Sequence, residues 1–117
     1  MPRDRQDVAL LWDMLQAARQ IADFTAGTTL PEYSGNDMLQ AAVERKLEII
    51  GEAARAVSED FRTAHPAIPW RGIISQRHFI AHEYGEIRHE KLFAVATIRI
   101  PELIALLAPL VPPETAG

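Results

Sequence analysis

A chain of 117 residues accommodates one domain around one core, and its 48% apolar content is too high for a disordered polymer. The formal net charge of −4 argues against wholesale binding of a phosphate backbone, so any contact with nucleic acid should be local. The lack of Cys excludes disulfides, thiolate metal sites and Cys nucleophiles, and an aromatic content of only 7% leaves Ala, Leu, Ile and Val to fill the interior, which suits packed helices better than a β-sandwich.

The N-terminus, Met1 to Asp7, is polar and carries no signal-peptide pattern. A charged or polar residue interrupts each apolar run before membrane-spanning length, so a soluble, cytoplasmic protein without membrane contact is expected. The spacing of Val8, Leu11, Leu15, Ala18, Ala22 and Thr25, widened by Ile21 and Phe24, predicts a first helix over 4–25 that stops at Gly27. Residues 28–35 read as a loop punctuated by Pro31 and Gly35. Asn36 or Asp37 caps a second helix, whose stripe runs Leu39, Val43, Leu47, Ile50, Ala54, Val57, Phe61. Gly51 interrupts that helix at a cost of about 1 kcal/mol relative to Ala, and a close helix–helix approach is the expected reason.

His65-Pro66-Ala67-Ile68-Pro69-Trp70 is the clearest break, because two prolines three apart forbid a regular helix through it. A third long helix follows from Trp70 and falters at Gly85. The last helix is expected over 88–110, on a stripe of Leu92, Val95, Ala96, Leu103, Leu106, Leu107 and Leu110, with a kink at Pro101. The fold class is therefore all-α: an up-down bundle of four to five helices in one domain, residues 1–111, with 112–117 as a tail.

The third helix carries Arg77-His78-Phe79-Ile80-Ala81-His82-Glu83-Tyr84, a concentration of reactive side chains. It lies in a locally basic window, 62–99, where Arg62, Arg71, Arg77, Arg88, Lys91 and Arg99 face only Glu83, Glu86 and Glu90. All four histidines (His65, His78, His82 and His89) fall there too. On a wheel of about 100° per residue, His78 and His82 stand about 40° apart and Tyr84 about 20° from Arg77, over a small-residue floor of Ala81 and Gly85. Phe79, Ile80 and Ile73 turn toward the core. Arg supplies a fixed cation for phosphate oxygens, and His exchanges a proton near neutral pH. Together they suit attack of a ribose 2′-hydroxyl on its phosphodiester without a metal. Three other readings stand beside this one. His78 and His82 have the i, i+4 spacing of two metal ligands. Arg77 and His82 could instead be buried, paired groups that hold helices together. Tyr84 could be a packed aromatic with one hydrogen bond.

The pattern Arg77-x-x-x-x-His82-x-Tyr84 resembles the signature of HepT-like proteins, a branch of the HEPN superfamily. Leu47-Glu48-Ile49-Ile50-Gly51-Glu52-Ala53-Ala54 and His65 to Ile74 resemble that family's segments in the same order, so nearly the whole chain is covered. The resemblance implies a helical endoribonuclease toxin of a type VII-like toxin–antitoxin pair, working without cofactor or metal. Arg77 and His82 match the catalytic pair, aided by His78, where relatives commonly carry Asn. Tyr84 matches the position adenylylated by the partner, a minimal nucleotidyltransferase antitoxin. Glu83 stands where relatives often have Gly. The family implies a homodimer with the two motif helices facing, which would let Arg77 and His82, about 140° apart on an ideal helix, serve one phosphate of an RNA substrate. The alternative is a non-catalytic binding partner whose Tyr84 is the nucleotidyltransferase's substrate.

Overall fold

The computed structural model describes residues 2–82 and 84–112, without the side chains of residues 2–5 and of Arg77. The roles expected of the Arg77 side chain and of Glu83, and the tail residues 113–117, lie outside the described residues. What is described is all-α, with no strand among the described residues.

Helix α1 spans Pro2–Thr25 and α3 spans Asp37–Ala56, and these two rods form the most extensive helix pair. They join through α2, Leu30–Ser34. Helix α4, Glu59–Ala64, leads to α5, Trp70–His82, which packs on α3. The chain closes with α6, Gly85–Ala94, a π-helical turn, Val95–Arg99, and α7, Ile100–Leu107, which lies against α1. Among the long rods α5 thus packs on α3 and α7 on α1, and α7 faces α5 across a groove. The extents of 46 × 32 × 20 Å describe a slab, and helices about 10–12 Å across make its thin dimension two layers deep.

The core follows the predicted stripes. Leu11, Leu15, Ala18 and Ile21 of α1 meet Val43, Leu47, Ile50 and Ala54 of α3, all buried. Each such Leu or Ile contributes about 1.5–3 kcal/mol on leaving water. Phe24, expected to widen the first stripe, is 39% exposed instead. The stripe of the last helical run is buried at Leu92, Ala96, Ile100, Leu103 and Leu107. Taken as one run, 85–110 is long and apolar enough to cross a membrane by length and composition, although Arg99 and Glu102 interrupt it, as the sequence reading expects. Here that stripe lies in the core, with α7 packed on α1.

Two further expectations are corrected, and a third takes a specific form. The loop at 28–35 contains α2, because Thr29 and Glu32 close a capping box: Glu32 N–H donates to Thr29 Oγ1 at 3.3 Å, and Thr29 N–H donates to Glu32 Oε1 at 2.9 Å. That small helix inserts a fully buried Tyr33 into the core. The second long helix does not continue to Phe61. It ends at Ala56, because the buried Asp7 carboxylate accepts from Ser58 N–H at 2.9 Å and from Ser58 Oγ–H at 2.6 Å. Ser58 Oγ then caps α4 by accepting from Phe61 N–H at 3.2 Å. The expected disturbance at Pro101 takes the form of the π turn. Proline has no N–H and its ring opposes the carbonyl four residues back; one residue before it, Ile100 N–H donates to Val95 O, the i−5 bond of a widened turn.

Candidate functional site

The entrance to α5 is fixed by the Pro-Trp break. Trp70 Nε1–H donates to His65 O at 2.9 Å, and its indole stands edge-on to Phe61 at 6.3 Å between centroids. Only 8% of Trp70 remains exposed, so it wedges the start of α5 against α4. Further along, Ile80 is buried and Ile73 and Phe79 pack against the core, as the wheel requires. Gly51 of α3 sits under α5: a Cβ added there would come to 3.3 Å from Ile73 O. The expected close approach is therefore made, and it seats the motif helix directly on the molecule's central rod.

The outer face carries the two histidines. His78 and His82 are both exposed. Their rings stack, with centroids 4.1 Å apart and planes inclined by 23°. His82 Nδ1 lies 2.9 Å from His78 O. A carbonyl can only accept, so Nδ1 carries the proton and donates it. In the neutral ring the remaining nitrogen, Nε2, then holds the lone pair, on an exposed imidazole, which is the form a general base requires. The same arrangement disfavours the reading of the two imidazoles as a metal pair. Ring lone pairs lie in the ring planes, and nearly parallel planes about 4 Å apart do not converge on one ion. Among the described residues, no group of three His, Cys, Asp or Glu gathers here or elsewhere.

Tyr84 is placed differently from the wheel. Helix α5 ends at His82, and Tyr84 is extended, at φ −137° and ψ 159°, as the residue before α6. Gly85 follows at φ +72°, a left-handed conformation that glycine adopts without strain and side chains resist. Gly85 is thus the first residue of the next helix and not the floor of a patch on α5. The phenol returns to α5 by another route: Tyr84 Oη–H donates to Ala81 O at 3.2 Å, and the ring stays 73% exposed. Its hydroxyl oxygen keeps its lone pairs for solvent or a reagent.

Helix α6 is anchored on its inner side. The half-buried Arg88 forms an ion pair with Glu44 of α3, bringing together residues 44 apart in sequence. Tyr33 lies beneath, its ring 5.4 Å from that of Phe93 and edge-on to His89 at 6.4 Å. Burial, and then the Glu44 charge, push the Tyr33 hydroxyl up to about 12, against the opposing effect of Arg88. Neither His65 nor His89 joins the site. His65 stacks on Phe61 at 4.2 Å, and His89 turns toward Tyr33 and Glu86. The structure therefore brings together His78, His82 and Tyr84 around the end of α5, with the Arg77 backbone in the same helix. Sequence reasoning missed the Glu44–Arg88 pair, and its only visible signal was the basic window that contains Arg88.

Beside the motif, an apolar groove of about 450 Å³ runs between α3, α5 and α7. Leu47, Ile73, Ile100 and Leu106 line it, and Gln76, the residue before Arg77, stands at its wall.

The family model described as "Ribonuclease HepT-like" matches residues 14–110. A protein named "Putative RNase" in Methanocaldococcus jannaschii is 35% identical over 100 residues, covering 85% of this chain and 92% of the relative. A "Probable ribonuclease HepT" of Thermococcus cleftensis is 34% identical over 103 residues, covering 88% and 92%. A further "Putative RNase", from Caldanaerobacter subterraneus, is 30% identical over 90 residues, covering 77% and 80%. No solved structure matches the chain.

Proposed function

The chain belongs to the HepT-like ribonuclease family, and from that premise we propose that it is a cytoplasmic endoribonuclease toxin that cleaves RNA by transesterification. The observation that carries the mechanism is the fixed tautomer of His82, whose exposed Nε2 is free to accept a proton. In the proposed reaction His82 removes the proton of a ribose 2′-hydroxyl. The resulting oxyanion attacks the adjacent phosphorus, the bond to the 5′-oxygen breaks, and that oxygen leaves as a 5′-hydroxyl, taking up through water the proton that His82 removed. The products are a 2′,3′-cyclic phosphate and a new 5′ end. Arg77 is assigned to the phosphoryl oxygens, and His78, stacked on His82, holds the imidazole in place. The step uses protein groups alone and needs no metal or cofactor.

Arg77 and His82 leave an ideal helix about 140° apart, so one α5 does not readily direct both at one phosphate. The proposed working form is a homodimer with the two α5 helices facing. The exposed histidine-bearing face of α5 and the apolar groove beside Gln76 support that arrangement.

Control is assigned to Tyr84. Its exposure and uncommitted oxygen lone pairs suit nucleophilic attack on the α-phosphate of ATP held by a cognate minimal nucleotidyltransferase, the antitoxin, with the α–β phosphoanhydride bond breaking, pyrophosphate leaving and the phenolic proton passing to solvent. The attached AMP would place a bulky anion at the end of α5, blocking and neutralising the RNA site. The same observation favours a second reading, in which the chain is a non-catalytic partner and adenylylation substrate of that enzyme.

Purified protein, incubated with RNA in excess EDTA, is expected to yield 2′,3′-cyclic phosphate ends, and His82→Ala to lower the rate by about 10²–10⁴-fold, the range for losing a general base. Equal cleavage by parent and variant would remove His82 from the mechanism. No cleavage by the parent, with Tyr84 gaining the mass of AMP on co-expression with the transferase, would favour the second reading.

A further inference from the structure

A second cleft, distinct from the motif, opens between α4 and α5 with a volume of about 480 Å³. Trp70 and Ile74 form its apolar floor, and Arg62 and Arg71 stand over it from the two helices. Neither guanidinium forms an ion pair among the described residues. Arg62 is half-buried, and its Nε–H is shielded from solvent with no hydrogen-bond partner. An acceptor entering the cleft would meet the guanidinium of the exposed Arg71 beside that of Arg62. Thr63 adds a hydroxyl, whereas the Ser75 hydroxyl is already spent on Gly72 O at 3.1 Å. Glu59 is the one acid in the lining, which stays net positive.

The position of this cleft relative to the histidines gives it meaning. On α5, Arg71, Ser75, His78 and His82 fall within about 60° of arc, a single stripe along one face. The stripe rises about 16 Å from Arg71 to His82 at 1.5 Å per residue. A single strand rising 3.4 Å per stacked nucleotide covers that length in about five nucleotides, and in fewer when extended.

We propose that the α4–α5 cleft is a phosphate subsite, in which Arg62 and Arg71 hold a backbone phosphate of the RNA strand a few nucleotides from the bond that His82 acts on. The proposal rests on the ribonuclease reading for its ligand. It explains how a chain of net charge −4 can hold RNA: contact is confined to one stripe of α5 and the α4 residue beside its start. The guanidinium fork suits phosphate oxygens bidentately. An acidic peptide would meet the same two arginines but would gain nothing from the continuation of the stripe to the histidines.

The test uses a His82→Ala background, so that binding is read without cleavage. A 5′-fluorescein-labelled single-stranded oligouridylate of 12 nucleotides is titrated by anisotropy over a range of salt concentrations. Arg71→Ala, alone and with Arg62→Ala, is expected to weaken binding about tenfold and to flatten the salt dependence by about 0.7 per arginine lost. Arg19→Ala, the same charge change on an exposed residue of α1, serves as control, and thermal melting checks that each variant folds. Unchanged affinity and salt slope in the double variant would overturn the subsite, as would lack of oligouridylate binding by the His82→Ala protein. Arginine-dependent binding of a labelled oligoglutamate in place of the RNA would overturn it in favour of an acidic peptide. The ribonuclease reading is decided separately, by cleavage with the parent protein.

Discussion

At His82 the decisive contact is with the backbone. The His78 carbonyl fixes which nitrogen is protonated, and stacking on His78 fixes the ring plane. Both constraints come from residues within one helical turn, so the site's reactive atom is prepared locally. Tyr33 shows the opposite case, a side chain governed entirely by tertiary surroundings. It is fully buried, its hydroxyl has no partner among the described residues, and burial beside Glu44 raises it to about 12. A raised folded-state value means that the native state holds its proton more tightly than the unfolded chain. Stability is therefore unaffected below about pH 10 and falls as pH rises from about 10 to 12, by roughly 2–3 kcal/mol at most. Tyr33→Phe should remove that decline. At neutral pH it should change stability by no more than about 1 kcal/mol, because an unpaired buried hydroxyl contributes little. Urea unfolding at pH 7, 9 and 11 measures both effects. An unchanged alkaline decline in the variant would show that Tyr33 is not its source.

Among the elements, the long helices were legible because apolar residues repeat at the helical period and α1, α3 and α7 bury those stripes. Thr29-x-x-Glu32 was also legible in principle: it is a capping-box pattern, hidden between Gly27 and Gly35. The end of α3 was not. The stripe continues through Val57 toward Phe61, and the break is imposed by Asp7, 51 residues away. No local window contains that carboxylate. The turn after His82 was half legible: Gly85 marked a boundary, but its positive φ detaches Tyr84 from the helix it was assigned to. Gly51 gives this scale its prediction. Gly51→Ala gains about 1 kcal/mol of helix propensity. The new Cβ, at 3.3 Å from Ile73 O, must push against the backbone of α5, which is held by its own helix. Net destabilisation of about 1–2 kcal/mol is expected from such overpacking, with a loss of cleavage as the motif helix shifts on α3. Chemical denaturation and a cleavage assay check the pair of effects. A variant more stable than the parent would mean that the two helices separate freely.

For the whole molecule, the motif residues were visible in the sequence and their arrangement was not. Periodicity places His78 and His82 on one face, but only the folded chain shows their rings stacked and Tyr84 folding back from the next helix. The Arg62–Arg71 cleft depends on α4 docking against α5, which separates two charges nine residues apart by a Pro-Trp break. Helix α5 packs on α3 and keeps its histidine-bearing face exposed on a slab 20 Å thick, and the proposed dimer brings a second copy to that face. The central claim, cleavage by Arg77 and His82 drawn from two chains, is tested most directly by mixing two inactive variants. Arg77→Ala and His82→Ala, each alone, should cleave labelled RNA at background rates. Unfolded and refolded together, they should form mixed dimers with one intact site in each, restoring about a quarter of the parent activity for random pairing about a two-fold axis. A mixture no more active than its separate components would contradict the two-chain site.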